Sequence, residues 1–211
     1  MPELAGGAQR LKLGVLVSGS GTNLQAIIDA SVGGALDAEV AVVVSDKAEA
    51  FGLQRARQAG IPALHVARAD HADPAAFNEA IRDALLGAEV DFVVMAGYMR
   101  LLGKAVLDAF PIRVLNLHPA ILPSFPGAHG IADAFAYGVK VTGVTVHFAN
   151  EVFDEGPIIA QQPVVVAEDD TVESLEAKIH AAEHELLPRA LQLIVTDRVE
   201  IVGRKVRIAP A

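Results

Sequence analysis

Residues 13–30, LGVLVSGSGTNLQAIIDA, begin as an apolar strand and continue as a helix, with a glycine-rich loop between the two. The strand is predicted over Leu13–Val17 and the helix over Asn23–Ala30. Successive strand residues are apolar instead of alternating between apolar and polar, which is typical of a parallel sheet that helices cover on both faces. This stretch therefore predicts an α/β fold, in which the chain returns to one sheet after each helix.

Strand and helix patterns keep alternating through the first two thirds of the chain. The predicted elements are strands at Val40–Val44, Ala63–Val66, Phe92–Met95 and Val114–Leu117, and helices at Ala48–Ala59 and Pro74–Leu86. Short β-branched runs between alanine-rich stretches indicate a doubly wound α/β fold. We expect a mostly parallel, twisted sheet with helices on both faces.

The pattern changes after Leu117. Residues 118–130, HPAILPSFPGAHG, contain too many prolines and glycines for a regular helix or strand, so they are predicted to form a structured loop. The elements predicted beyond it are strands at Thr142–Phe148 and Pro157–Val166, a long helix capped by Asp170 and kinked or divided at Pro188, and a hairpin of Val199–Val202 with Lys205–Ile208. No linker or repeat is recognisable, and residues 1–211 are interpreted as a single domain.

The composition limits both chemistry and partners. The 211 residues are 52% hydrophobic and contain no cysteine, which excludes disorder, disulfide frameworks and cysteine nucleophiles. The net charge of -9 argues against nucleic acid as the main partner, because such binding relies on Lys and Arg to neutralise phosphates. Neither a signal peptide nor the apolar run of about 18 residues that spans a membrane is recognisable, so we expect a soluble, cytoplasmic protein.

The loop at residues 18–23 has the features of a phosphate site. Gly19 and Gly21 let a ligand approach the backbone, and the free amides and positive dipole end of the following helix attract an anion. Thr22 and Asn23 add side-chain donors. The loop lacks the third glycine of a dinucleotide site and the Gly-Lys-Ser/Thr of a Walker loop, so a monophosphate is the favoured ligand. A tight turn with Ser or Thr capping is the structural alternative.

Asn116 and His118 lie at the end of a predicted buried strand, where α/β sheets bind their ligands. Because side chains alternate along a strand, both lie on one face and address the same small volume. Asp154 lies in a turn between the next two strands, and a carboxylate beside His118 would fix its tautomer and raise its pKa. Asn116 can then donate a hydrogen bond to a developing oxyanion. The alternative is that these residues only cap loops and form a turn.

Four motifs, in this order and spacing, carry a resemblance to a known family. They are Gly21-Thr22-Asn23-Leu24, Ala96-Gly97-Tyr98-Met99-Arg100-Leu101-Leu102, Asn116-Leu117-His118-Pro119-Ala120-Ile121-Leu122-Pro123 and Asp154-Glu155-Gly156-Pro157-Ile158-Ile159. From about Lys12 to about Val195 the chain resembles the folate-dependent, single-domain phosphoribosylglycinamide formyltransferases of purine synthesis. Each motif alone is a weak signal, whereas the combination is specific.

The resemblance implies transfer of the formyl group of 10-formyltetrahydrofolate to the amine of glycinamide ribonucleotide. It implies a catalytic group of Asn116, His118 and Asp154. It assigns the ribonucleotide to Gly21, Thr22, Asn23 and Glu183, and the folate to Met99, Arg100, Leu101, Leu102 and Asn116. It divides the domain into a phosphoribosyl-binding half at about 12–110, a folate-binding and catalytic half at about 111–195 and a hairpin tail at 198–208. The expected partners are small molecules, with no metal, nucleic acid or membrane, in a monomer or homodimer.

Two positions depart from the family pattern. Pro74 stands where many members have a folate-contacting Arg, and no such contact is assigned to the nearby Arg68. Ala120 replaces the Ser of the usual His-Pro-Ser loop and removes one hydroxyl, while His118 itself is intact. Both departures bear on folate binding and leave the predicted catalytic group unchanged.

The remaining polar residues have simpler interpretations. His147 is interpreted first as a packed strand histidine, with an approach to the site as the alternative, and His129 either as a loop residue or as one that closes over substrate. His180 and His184 are interpreted as surface or packing residues of the last long helix. By helical pattern alone, Glu183 is an ordinary exposed residue.

Other functions stay open from the sequence. Hydrolysis of the same folate donor and formyl transfer to an aminoacylated tRNA are related enzyme activities, which we expect to need an added regulatory domain or a basic C-terminal domain. A non-catalytic nucleotide-binding module is the third alternative, since a fold does not fix a function. The intact Asn116, His118 and Asp154 argue against that module.

Overall fold

The computed structural model describes residues 10–152 and 154–210. The strands are β1 (Leu11–Val17), β2 (Ala38–Ser45), β3 (Ala63–His65), β4 (Phe92–Met95), β5 (Val114–His118), β6 (Val141–Phe148), β7 (Ile158–Val165), β8 (Val199–Val202) and β9 (Lys205–Ile208). The helices are α1 (Thr22–Val32), α2 (Phe51–Gln58), α3 (Pro74–Gly87), α4 (Lys104–Ala109), α5 (Gly130–Tyr137) and α6 (Val172–Val195), with a 3-10 turn at Arg68–Asp70.

Strands β1 to β7 form one sheet in the order β3-β2-β1-β4-β5-β6-β7. Strands β1 to β5 run parallel to one another, whereas β6 pairs antiparallel with both β5 and β7. The prediction of a doubly wound α/β fold with a mostly parallel sheet is confirmed. Because β1 lies between β2 and β4, the order of the strands reverses at this point, and a ligand crevice is expected at the carboxyl ends of β1 and β4.

Successive residues of the central strand β1 face two different hydrophobic layers. Val15 and Val17 pack in the layer that contains α1, α2 and α6, whereas Leu16 packs in the layer that contains α3 and α4. All three side chains are fully buried. Helices on both faces of the sheet therefore explain the unbroken apolar run in the sequence.

The loop from β1 to α1 requires glycine at Gly21. Its backbone is left-handed, with φ at 68°, and a Cβ atom there would collide with the backbone of Gly52 in the first turn of α2. The starts of α1 and α2 can approach each other only without a side chain at this position. The first amides of a helix have no intrahelical acceptor, so α1 presents N–H groups at the carboxyl end of β1.

Helix α6 starts and continues differently from the prediction. Its N-cap is Thr171, which forms a capping box with Ser174, and the predicted cap at Asp170 is wrong. Asp170 instead accepts hydrogen bonds from the Ala167 amide and from the side chains of Ser174 and Lys178. The helix runs undivided through Pro188, a buried residue, because its long apolar stripe packs in the core on both sides of the proline. Within the described ranges, no helix combines the length and apolar character needed to cross a membrane.

Two short helices, α4 and α5, are missing from the prediction. They span only 6 and 8 residues, too few to show a clear helical period in the sequence. Helix α5 begins at Gly130, the last residue of the predicted loop. Helix α2 begins at Phe51 instead of Ala48, because a turn closed by the Ala50 amide and the Lys47 carbonyl precedes it.

The strands β8 and β9 form a separate antiparallel hairpin. Val199 is buried in the same hydrophobic layer as α6. In the turn of the hairpin, Arg204 donates a hydrogen bond to the Glu155 carbonyl at 2.6 Å. The hairpin therefore contacts both the core and the loop that carries Asp154.

Candidate active site

A cavity of about 360 Å³ opens at the carboxyl ends of β1, β4 and β5, with α5 and α6 on its other side. Six predicted site residues line this cavity, namely Asn23, Met99, Asn116, His118, Asp154 and Glu183. His129 lines it as well, whereas Gly21 and Thr22 are not among its lining residues. The fold thus brings together side chains as far apart in sequence as Asn23 and Glu183.

Asp154 lies between Asn116 and His118. Its Oδ1 accepts a hydrogen bond from Asn116 Nδ2 at 3.2 Å, and its Oδ2 lies 3.4 Å from His118 Nδ1. The Gly127 amide, from the proline-rich loop, donates to Oδ2 at 2.8 Å. The Asp154 backbone is left-handed, with φ at 56°, an uncommon conformation for a residue other than glycine. Contacts from two other segments hold the carboxylate in place despite this backbone cost.

Burial decides the protonation of His118, whose side chain is only 3% exposed. Burial lowers its pKa, and this effect outweighs the charge of Asp154 and the hydrogen bond with the Phe125 carbonyl, which both raise it. The expectation of a raised pKa is therefore wrong. Desolvation destabilises the imidazolium by more than the charge of Asp154 stabilises it. His118 is mainly neutral at pH 7.

The pKa of Asp154 moves in the direction that keeps it ionised. Burial alone would raise this pKa, but the side chain of His147 and the Gly127 amide, together with the imidazole of His118, lower it below its usual value. A charged carboxylate therefore faces the neutral imidazole of His118. Uptake of a proton by that imidazole would convert the contact into an ion pair.

His118 Nε2 lies 2.8 Å from the Phe125 carbonyl oxygen. A carbonyl only accepts hydrogen bonds, so in this arrangement Nε2 carries the proton and Nδ1 faces Asp154 without one. Both ring nitrogens therefore contact the protein itself. A substrate group can reach Nε2 only by replacing the Phe125 carbonyl.

His147 belongs to the site as well as to the core. It is buried, and the antiparallel pairing of β5 with β6 places it directly opposite Asn116. Its Nδ1 donates to the Phe148 carbonyl at 2.9 Å, and its Nε2 accepts from Asn116 Nδ2 at 3.1 Å. The sequence suggested either a packed strand histidine or one that approaches the site, and the structure shows that His147 is both. The register of two strands would have revealed this contact, but a single sequence does not give that register.

Glu183 is 4% exposed, in contrast to the exposed position that the helical pattern predicts. Its Oε2 accepts a hydrogen bond from Asn23 Nδ2 at 2.9 Å and from His180 Nδ1 at 2.8 Å. The bond with Glu183 raises the pKa of His180. His180, interpreted from the sequence as a surface or packing residue, therefore lines the cavity beside Glu183, and Glu183 joins α6 to the start of α1.

Residues 96–103, named here the 96–103 loop, follow β4 and carry the predicted folate contacts. Met99 and Leu101 are 68% and 54% exposed although they are apolar. Leu101 and Leu102 line a second, small cavity of about 20 Å³ beside Asn116. Exposed apolar side chains next to a cavity are typical of a surface that binds a ligand. Arg100 lines neither cavity and pairs with Asp46 instead.

The structure accommodates both departures from the family pattern, Pro74 and Ala120. Pro74 is at the start of α3, where its missing N–H costs no helical hydrogen bond. Ala120 is fully buried, and its carbonyl accepts a hydrogen bond from the Thr145 hydroxyl at 2.7 Å. The proline-rich loop is therefore anchored to β6 without a serine at position 120.

Comparisons with known proteins give the same family. The chain matches the family described as "Formyl transferase" over residues 11–191. It is 46% identical over 193 residues to the phosphoribosylglycinamide formyltransferase of Mycobacterium tuberculosis, covering 92% of this chain and 89% of that protein. The phosphoribosylglycinamide formyltransferase of Bacillus subtilis is 39% identical over 184 residues, covering 87% and 94%. The crystal structure of glycinamide ribonucleotide transformylase 1 from Symbiobacterium toebii superposes with a TM-score of 0.95 at 48% identity, over 99% of this chain and 98% of that one.

The resemblance predicted from the four sequence motifs is thereby confirmed. Its family match covers the strand–loop–helix unit of β1 and α1, the 96–103 loop and the Asn116, His118 and Asp154 group. The relatives named above are similar along most of both chains. The chain belongs to the formyl transferase family, and it is a formyltransferase whose similar relatives are phosphoribosylglycinamide formyltransferases.

Proposed function

We propose that this formyltransferase moves the formyl group of 10-formyltetrahydrofolate to the amine of glycinamide ribonucleotide, a step of purine biosynthesis. The observation that carries the proposal is the position of Asn116, His118 and Asp154 in one cavity, between the start of α1 and the 96–103 loop. The similar relatives are phosphoribosylglycinamide formyltransferases, which supports both the formyl group and the phosphoribosylglycinamide acceptor. We expect it to act on these small molecules in the cytoplasm, as a monomer or homodimer.

The acceptor binds across the start of α1 and α6 in this proposal. The net charge of -9 repels an anionic nucleotide at long range, so its phosphate needs local donors. The N–H groups at Gly21, Thr22 and Asn23, with the positive end of the helix dipole, supply them. Within the described residues, Asn23 Oδ1 is a buried acceptor without a hydrogen-bond partner, and it can receive an N–H or hydroxyl of the acceptor. Glu183, next to Asn23, offers a carboxylate to the same ligand.

The formyl donor lies along the 96–103 loop in this proposal. The exposed Met99 and Leu101 cover the flat face of the folate ring system, and backbone groups of the loop bind its polar edge. The small cavity beside Asn116 connects this surface to the catalytic group. The formyl carbon is thereby delivered to the place where the amine of the ribonucleotide arrives.

The reaction needs one new bond, one broken bond and one proton transfer. The amine nitrogen attacks the formyl carbon, and the carbonyl oxygen becomes an oxyanion. Once the substrate has replaced the Phe125 carbonyl, His118 loses its Nε2 proton to solvent and takes one up at Nδ1, where Asp154 accepts it in a hydrogen bond. The free Nε2 of this neutral tautomer then accepts the proton of the amine. The imidazolium stabilises the oxyanion and returns the proton to the folate nitrogen as the bond between that nitrogen and the formyl carbon breaks.

Asn116 is oriented for the same oxyanion. One hydrogen of its amide nitrogen points to His147 and the other to Asp154, so both are used inside the protein. The 3.2 Å bond to Asp154 is the longer of the two, and the oxyanion takes over this hydrogen in the proposed step. Once His118 is protonated, the carboxylate of Asp154 gains a stronger partner in exchange.

The decisive experiment measures tetrahydrofolate release by the purified protein with 10-formyltetrahydrofolate, with and without glycinamide ribonucleotide. We expect release only when the nucleotide is present, with formylglycinamide ribonucleotide formed in equal amount. Release in water alone would identify a hydrolase and overturn the proposal. Binding of the nucleotide without any turnover would identify a non-catalytic module and overturn it as well.

A further inference from the structure

A polar cluster outside the catalytic group joins the carboxyl ends of three neighbouring strands. Ser18 follows β1, Asp46 follows β2, and Arg100 belongs to the 96–103 loop after β4. These strands lie side by side in the order β2-β1-β4 and run parallel, so their carboxyl ends meet at one edge of the sheet. The cluster of Ser18, Asp46 and Arg100 therefore connects the start of the phosphate loop to the predicted folate loop.

Asp46 is the centre of this cluster, with a side chain only 1% exposed. Its Oδ1 accepts a hydrogen bond from the Ser18 hydroxyl at 2.6 Å, and its Oδ2 accepts one from Arg100 Nε at 2.6 Å. A buried carboxylate is costly unless each oxygen has a donor, and here both have one. The ion pair in turn ties the half-exposed Arg100 side chain down on the sheet edge.

Ser18 connects Asp46 to the backbone of the 96–103 loop. Its hydroxyl donates to Asp46 and accepts from the Met99 amide at 3.0 Å, while its own amide donates to the Gly97 carbonyl at 3.0 Å. Because Asp46 accepts the only hydroxyl hydrogen, the oxygen lone pairs are directed at the Met99 amide. Two neighbouring residues, Met99 and Arg100, are thus held by one carboxylate.

We propose that Asp46 is a positioning residue, which holds the 96–103 loop in the shape that binds the folate. This inference rests on the proposed function, since it assigns the folate to that loop. The exposed apolar side chains of Met99 and Leu101 do not hold the loop in one conformation, because little of their surface is buried. The loop therefore needs internal polar contacts to stay ordered. A loop that is already ordered loses less conformational entropy when the folate binds. Asp46 therefore acts on folate affinity and not on the chemical step.

The test compares steady-state kinetics of the parent, Asp46→Ala, Asp46→Asn and the control Asp83→Ala. Asp83 forms an exposed ion pair with Arg82 on α3, remote in sequence from the 96–103 loop. We expect Asp46→Ala to raise the KM for 10-formyltetrahydrofolate about tenfold, because only a fraction of the loops is then competent to bind. The kcat, the KM for the ribonucleotide and all constants of Asp83→Ala should stay within about threefold of the parent.

Asp46→Asn separates the two branches of the cluster. Its amide oxygen can still accept from Ser18, but its NH₂ group cannot pair with Arg100, so we expect a folate KM between those of the parent and Asp46→Ala. Adding Ser18→Ala to Asp46→Ala should change the folate KM little further, since without Asp46 the Ser18 hydroxyl is no longer oriented toward the Met99 amide.

Two results would overturn the inference. One is an unchanged folate KM in folded Asp46→Ala or, where that variant does not fold, in Asp46→Asn. The other is a fall in kcat with both KM values unchanged. An inactive parent enzyme would instead refute the proposed function, so the two failures are distinguishable.

Discussion

His118 and His180 line the same cavity, but their surroundings shift their pKa values in opposite directions. Burial lowers the pKa of His118, whereas the hydrogen bond to Glu183 raises that of His180. Only a neutral imidazole can accept the proton of the attacking amine, and only a charged one attracts an anionic ligand. At the residue scale, the site thus contains two histidines that take up a proton at different pH, His180 before His118 as the pH falls.

The first prediction concerns the titrations of His118 and His180, which NMR of the imidazole protons can measure. We expect His118 to titrate below and His180 above the ordinary value of 6.5. Asp154→Asn should lower the pKa of His118 further, since a charge that raises it is lost. Glu183→Gln should lower the pKa of His180 and, to a smaller extent, that of His118, because the charge of Glu183 raises both. A pKa of His118 above 6.5 in the free protein would contradict the dominance of burial.

The second prediction concerns turnover. His118→Ala and Asp154→Asn should each lower kcat by about a hundredfold or more, the range expected when an acid or base group is lost. The control is His65→Ala, since His65 lies exposed on β3. Activity of both site variants within a few fold of the parent would remove these residues from the proposed mechanism.

At the scale of elements, the loop between β6 and β7 is fixed by a close approach of two backbone segments. Gly156, two residues after Asp154, has no room for a Cβ atom, which would collide with the Phe148 carbonyl of β6. The Phe148 amide also donates to the Pro157 carbonyl at 2.9 Å, so the two segments touch at this glycine and at the residue after it. The position of Asp154 therefore depends on a small residue that has no chemical role itself.

The third prediction tests this dependence with Gly156→Ala. The added methyl group must push the loop away from β6, so we expect kcat to fall more than tenfold and stability to fall by about 1–3 kcal/mol. Gly87→Ala is the matched control, because a Cβ at Gly87 in α3 meets nothing within 4 Å. That control should be as stable as the parent, or more stable by up to about 1 kcal/mol, since alanine favours helix. Parental activity in Gly156→Ala would show that the loop can relax without moving Asp154.

The fourth prediction concerns the start of α6 at low pH. Hydrogen bonds from Lys178 and Ser174 and from the Ala167 amide lower the pKa of Asp170 to about 2. Because this is below the value of 3.8 for the ordinary group, the stabilisation is complete above that value and is lost as the pH falls toward 2. Asp170→Asn should therefore flatten the acid limb of the unfolding free energy, measured with urea between pH 5 and pH 2. The control is the parent protein, unfolded in urea over the same pH range.

At the scale of the whole molecule, the C-terminal hairpin extends beyond the matched family region of residues 11–191. It still shares the core, since Val199 is 3% exposed within the layer of α6, and it contacts the Asp154 loop through Arg204. Stability of the hairpin and of the active-site loop should therefore be linked. If the chain is a single domain, as predicted, its hairpin and its active-site loop should lose stability together.

The fifth prediction is that the hairpin unfolds together with the sheet. Val199→Ala removes two buried methyl groups and should lower the unfolding free energy by about 1–3 kcal/mol, with a single transition retained in urea. Val202→Ala, at a position 42% exposed, should stay within about 0.5 kcal/mol of the parent. A separate early transition, detected by hydrogen exchange at residues 199–208, would show that the tail is an independent unit.

The sequence by itself determined the alternation of strands and helices, the buried parallel sheet and the strand-end position of Asn116 and His118. These features follow from short-range rules: the apolar period along the chain, the alternation of side chains in a strand and the freedom of glycine in the loop before α1. Four ordered motifs also sufficed to predict the family.

Only the tertiary structure decided the contacts of His147 and Asp46 and the burial of Glu183. His147 meets Asn116 through the register of two strands, and Glu183 meets Asn23 across 160 positions. The lowered pKa of His118 likewise depends on how much of the molecule covers the ring. Long-range pairing and desolvation are properties of the packed molecule, and a pattern along one chain does not specify either.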